Sequence, residues 1–142
     1  MGVPSLKTLQ PYALSVLRII AGFIIVQFGT AKVFGYPYAD RTPGQGMPFG
    51  TLPWYAGMLE TIAGPLMMLG LFTVPVAFVL CGEMAVAFFI GHAIPNGAIL
   101  PYNNQGGIAL LECFIFLYLF TAGGGAWSLD HLLFNKRHRG AS

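Results

Sequence analysis

The stretch that decides the fold is "AFVLCGEMAVAFFIGHAIPNG", Ala77 to Gly97. It reads as a membrane-crossing helix except for Glu83, a carboxyl group where hydrocarbon is expected. Three more runs of this kind occur in the chain, so the exception bears on what the whole bundle is for. A helix needs about 20 mostly apolar residues to cross a bilayer core. Residues 11–31, 53–71, 74–92 and 106–122 qualify with small allowances.

Composition agrees. Of 142 residues, 56% are hydrophobic and 8% charged, whereas soluble domains carry roughly 25% charge. So few charged side chains cannot cover a water-facing surface. The bilayer is therefore the first predicted partner. The net charge of +2 is too small to suggest nucleic acid. The first apolar run is too long for a signal h-region and lacks a small-x-small cleavage site, so it is expected to remain as a helix. Cys81 and Cys113 both fall in apolar segments without a CxxC spacing, and they read as two buried, inert thiols.

The fold expected is all-α, a single-domain (1–142) integral membrane four-helix bundle. Gly70 and Pro75 in "LGLFTVP" join helices two and three in a tight hairpin. Longer connections follow the first and third helices. Tyr36, Tyr38, Phe49 and Trp54 in the first suggest a lid at headgroup level. Lys7, Lys136, Arg137 and Arg139 outweigh Lys32 and Arg41, which puts both termini in the cytoplasm. "WSLDHLLF" reads as a short C-terminal amphipathic helix on the inner surface, with Ser128 as N-cap and Asp130 in its first turn.

Polar residues inside spans are costly and usually face the bundle interior. Arg18, Gly22, Ile25, Gly29 and Lys32 share one stripe of the first helix, and Gly57, Glu60 and Gly64 one stripe of the second. Glycine beside charge is the signature of close helix contact in a membrane. Helices one and two are thus predicted to touch along these stripes. Counting 1.5 Å per residue, Arg18 lies roughly 10 Å and Glu83 roughly 14 Å inside one end, which makes them a predicted structural ion pair. Glu60 and Glu112 lie near one depth at the other end, below Lys32. One lysine cannot neutralise both, so Glu60, Glu112 and Lys32 are the candidate proton-transfer residues. His92 is a possible rim site, half a turn out of phase with Glu83 on an ideal helix. No metal site is expected. His131 and His138 lie on the opposite side from His92, which argues against a bis-His haem.

At these residues the chain resembles the DoxX family of small four-helix bacterial inner-membrane proteins. The carrying motifs are "LRIIAGFIIVQFGTAKVFGYP", "AGMLETIAGPLMMLGLFTVP", "CGEMAVAFFIGHAIPNG" and "CFIFLYLFTAGGGAWSLDHLL". The resemblance implies a multi-pass protein of the bacterial inner membrane, tied to membrane redox systems and, in a related subunit, to thiosulfate:quinone oxidoreduction. It also implies that Arg18, Lys32, Glu60 and Glu83 occupy the family's usual polar positions. Two departures stand out: Gln27-Phe28 where the family often has Glu-His, and Gly106-Gly107 where it often has Gly-Glu. Glu112 stands where Tyr is more common. Loss of the first-helix His weakens the case for independent catalysis.

Three readings stay open. One is a subunit of a membrane redox system near the quinone pool, with another membrane protein carrying the electron centre. The second is a non-catalytic assembly subunit of a larger membrane complex, and the third a small transporter. No flavin, nucleotide, iron–sulfur or P-loop signature is evident, and a quinone is the cofactor class left open.

Overall fold

The structure, a computed structural model, describes residues 5–37 and 44–134. It is all-α, with six helices: α1 Leu6–Phe34, α2 Leu52–Leu69, α3 Thr73–Asn96, α4 Pro101–Asn104, α5 Gly107–Ala122 and α6 Leu129–Phe134. The four expected long segments are α1, α2, α3 and α5; α4 is a short addition in the second long connection. Two helices, α1 and α3, are long and apolar enough to cross a membrane. α2 is diluted by Pro, Gly and Glu60, and α5 is 16 residues long. Tyr38, Arg41, Lys136, Arg137, His138 and Arg139 lie outside the described residues.

Local chemistry sets the ends. Gly35 (φ 67°) and Gly70 (φ 68°) adopt the left-handed conformation that closes α1 and α2, and their N–H groups return to the last turn. Pro53 sits in the first turn of α2, where a missing N–H costs nothing. α3 widens into a π-helical segment over Ala87–Ala93 before a last turn at Ile94–Asn96. Pro95 is the physical reason: its nitrogen cannot donate to the carbonyl four residues back, and its ring crowds that carbonyl. Wider turns upstream relieve both problems.

The helices pack as two pairs. α1 and α2 form the most extensive contact and α3 with α5 the next; the α2–α3 and α1–α5 seams are thinner. The predicted glycine stripes are the reason for the first pair. A Cβ on Gly29 would lie 2.5 Å from the Thr61 nitrogen, and one on Gly64 2.5 Å from Val26 Cγ2. Backbones this close leave no room for a side chain. Ile25, Met67, Leu80, Phe116 and Leu119 fill the core between the pairs.

One end of the bundle is tied by polar bonds. Arg18, fully buried, sends Nε to the Gly124 carbonyl (2.8 Å), one terminal nitrogen to those of Met67 and Met68, and the other to Trp127 (2.7 Å). The Met67 and Met68 carbonyls are at the C-terminal end of α2, where a cation is favoured. Asp130 completes the arrangement from the other side. Its Oδ1 accepts from Phe72 N (2.8 Å) and its Oδ2 from Thr73 N (2.7 Å), so a side chain of α6 caps α3. That capping holds Phe72 in its left-handed conformation (φ 52°). Ser15 Oγ accepts from Trp127 N (3.0 Å), and the Pro11 carbonyl accepts from Ala126 N (3.1 Å), which brings α1 to the same end. Ser128 acts as N-cap of α6, as expected, accepting from His131 N at 3.1 Å.

This corrects the predicted Arg18–Glu83 pair. Arg18 lies level with the α2–α3 turn, whereas Glu83 is ten residues along α3, about 15 Å deeper. No arginine spans that rise. The estimate of equal depth took Pro11 as the start of the bundle, but α1 begins at Leu6 and overhangs it.

Two outcomes follow. Arg18→Leu strands buried carbonyls and should cost on the order of 3–5 kcal/mol, read as a lower unfolding midpoint in detergent. Gly29→Ala should cost about 1–3 kcal/mol by overpacking α1 against α2, with Gly82→Ala, where a Cβ meets open space, as the neutral control.

Candidate functional site

Toward the other end of the bundle the sequence places charge on three helices. Lys32 is in the last turn of α1, Glu60 midway along α2, and Glu83 in the α-helical part of α3. Gly57 lets Lys32 cross α2 at close range, since a Cβ there would meet Lys32 Cβ at 2.6 Å. Lys32 Nζ then reaches Glu60 Oε1 at 2.5 Å, the one ion pair among the described residues. The Glu60 side chain is 1% exposed and that of Lys32 23% exposed, so the pair runs from the interior toward the rim.

Glu83 joins this pair from across the α2–α3 seam, where its carboxyl feels the charges of both Glu60 and Lys32. Glu60 Oε2 and both oxygens of Glu83 are buried without a hydrogen-bond partner among the described residues. Three acceptor oxygens in a dry site with one ammonium are incomplete. They are completed by a proton shared between the carboxyls or by a ligand that donates hydrogen bonds. Glu83 also lines a groove of about 350 Å³ between α3 and α5, walled by Phe78, Leu117 and Phe120. The cluster therefore connects an apolar groove, through Glu83 and Glu60, to a partly exposed lysine.

The other expected site residues fall elsewhere. Glu112 is buried on α5 (3% exposed), but Lys32 pairs with Glu60 alone and no charged group faces Glu112 among the described residues. The reason is pairing: α5 packs on α3, away from the α1–α2 seam that holds Lys32. Its Oε2 likewise lacks a partner. His92 donates Nδ1–H to the carbonyl of Asn104 at 3.2 Å, and Asn104 in turn bonds Ala98 O and Gly106 N. The π-helical turns have rotated His92 toward α4, where it braces the second long connection.

Two features escaped the sequence. Asn104, 1% exposed, organises the "NGAILPYNNQGG" connection, and only its place among turn residues hinted at it. Cys81 Sγ and Cys113 Sγ lie 3.8 Å apart across the α3–α5 seam, although 32 residues separate them in the chain. Both are free thiols. No spacing rule joins cysteines on different helices, so only packing could reveal the pair.

The constellation of Lys32, Glu60, Glu83 and the glycine stripes lies wholly within residues 13–93, and that segment matches the DoxX family. The chain belongs to the DoxX family. It is also 38% identical over 133 residues to an uncharacterized protein of Haemophilus influenzae, a similarity covering 93% of this chain and 98% of that one. No solved structure matches it. Family membership and the two long apolar helices make this DoxX protein a membrane protein with more than one span. Arg18 and His92 fall inside the DoxX match; Glu112 and Cys113 lie beyond it.

The unequal pairing of the two acids gives a sharp expectation. Glu60→Gln strands the Lys32 ammonium and should cost about 3 kcal/mol or more. Glu83→Gln leaves the Lys32–Glu60 pair intact and relieves the repulsion between two buried carboxyls, so the stability should stay within about 0.5 kcal/mol of wild type or rise. Parallel denaturant titrations in one detergent compare them directly.

Proposed function

We propose that this DoxX protein is a subunit of a membrane redox system working beside the quinone pool. In this reading Glu83, Glu60 and Lys32 pass protons between a hydrogen carrier dissolved in the bilayer and the rim of the bundle. The supporting observation is Glu83: its side chain helps line an apolar groove, while both its carboxyl oxygens are buried beside the Lys32–Glu60 pair with no hydrogen-bond partner among the described residues. A purely structural acid would have been given a donor. The topology proposed is four crossings in the bacterial inner membrane with both termini cytoplasmic. The meeting of Pro11–Ser15 with Gly125–Trp127 at one end supports an even number of crossings. The electron centre that exchanges with the carrier would belong to another membrane or membrane-associated protein.

The reading is tested by photolabelling with an azidoquinone in proteoliposomes. Label is expected on peptides containing Phe78–Glu83 and Leu117–Phe120, with competition by unmodified quinone. In membranes that retain the partner, Glu83→Gln should slow quinone-dependent turnover by about 10²-fold or more, the usual contribution of a positioned proton carrier. Uniform labelling of all lipid-facing helices, or unchanged turnover, would sink it.

A second reading, a non-catalytic assembly subunit, is favoured by the Arg18 network, whose bonds all go to the chain's own backbone and tie three of its segments together. Copurification from native membranes separates the two. A partner that stays bound to the Glu83→Gln variant while turnover is unaffected supports assembly alone.

A further inference from the structure

We propose that Cys81 and Cys113 form a redox-active dithiol that reduces a quinone held in the α3–α5 groove. This rests on the quinone reading above and names its electron donor. Cys81 lines the groove beside Glu83; Cys113 stands behind it on α5, its sulfur 3.8 Å from that of Cys81. A disulfide bond is about 2.05 Å long, so the sulfurs need to approach by less than about 2 Å to form one.

The chemistry of the groove selects the oxidant. Phe78 and Phe120 have centroids 5.4 Å apart at 48°, and Leu117 closes the wall. At about 350 Å³ it is within the range of small-ligand cavities, roughly 300–1,000 Å³. Phe78 is 64% exposed and Val79 46% exposed, so the mouth opens on the outer, apolar surface of the bundle rather than into its core. An oxidant arriving there must dissolve in hydrocarbon, lie flat against aromatic rings and take up two electrons with two protons. A quinone meets all three conditions.

The step balances. Cys81 sulfur adds to the quinone ring and its proton leaves through Glu83. Cys113 sulfur then attacks Cys81 sulfur, forming the S–S bond and breaking the bond between Cys81 and the ring. Two S–H bonds are lost, one S–S bond is made, and both electrons and both protons end on the quinone oxygens as quinol. Glu83 takes up one proton at a time, and Glu60 next to it can hold the second until both reach the quinone oxygens. Repeated turnover requires a partner's dithiol to reduce the Cys81–Cys113 disulfide by thiol–disulfide exchange.

The experiment uses the full chain, reduced, in liposomes, with decylubiquinone as the probe. Thiols are counted by alkylation mass shift, and quinol by its ultraviolet absorbance. The expected result is loss of two alkylatable thiols and gain of one quinol per chain. Cys81→Ser and Cys113→Ser should each abolish both changes, and Glu83→Gln should slow them by about 10²-fold. Azidoquinone labelling of the same samples keeps the two readings apart. Groove labelling with both thiols intact and no quinol overturns the dithiol and leaves the quinone site standing. Absence of both labelling and quinol overturns the two together. Thiols that vanish with diamide but not with decylubiquinone overturn the assignment of a quinone as oxidant.

Discussion

The bundle depends on the buried guanidinium of Arg18. A full positive charge without a carboxylate within bonding distance is stable here because four backbone carbonyls converge on it. Those carbonyls belong to the end of α2 and to the segment between α5 and α6, so one side chain of α1 fixes three parts of the chain. Asp130 supplies the compensating charge nearby while capping α3 with both oxygens. Both charges at this end are thus met by groups of the chain itself. Deeper in, around Glu83, the balance differs: among the described residues both its oxygens and one of Glu60 lack a hydrogen-bond partner.

That division of labour explains why polar residues in one membrane protein can have opposite meanings. Arg18 is surrounded by acceptors, and four of its five N–H groups are taken up by backbone carbonyls. Both oxygens of Glu83 and one each of Glu60 and Glu112 are buried acceptors without donors among the described residues. The cost of burying them is carried by the rest of the fold, which the glycine-packed α1–α2 pair and the carbonyl-bound Arg18 make rigid enough to bear it.

Much of this was legible in the sequence. Gly22, Gly29, Gly57 and Gly64 announced the α1–α2 contact because small residues at helical spacing have few other uses in a membrane. The reach of Lys32 to Glu60 followed from the same register. What could not be read depended on which helix pairs with which. Glu112 was grouped with Glu60 by depth, yet its helix packs on α3. Nor does the sequence show that α1 overhangs the bundle, so that Arg18 sits level with the α2–α3 turn and far from Glu83. The Cys81–Cys113 contact and the capping of α3 by Asp130 are likewise products of tertiary packing, joining residues 32 and 57 or more positions apart.

The glycine seam carries one more implication. Helices whose backbones touch leave no crevice between them, so the α1–α2 seam is closed to a guest along its glycine stripes. The α3–α5 half is joined by ordinary side chains, has a π-helical segment with a wider backbone hydrogen-bond register, and carries the only free thiols among the described residues. The protein is thus asymmetric about its own axis, with a sealed face and a yielding face. Among the described residues, it is the yielding face that offers a groove to a molecule arriving from the lipid phase.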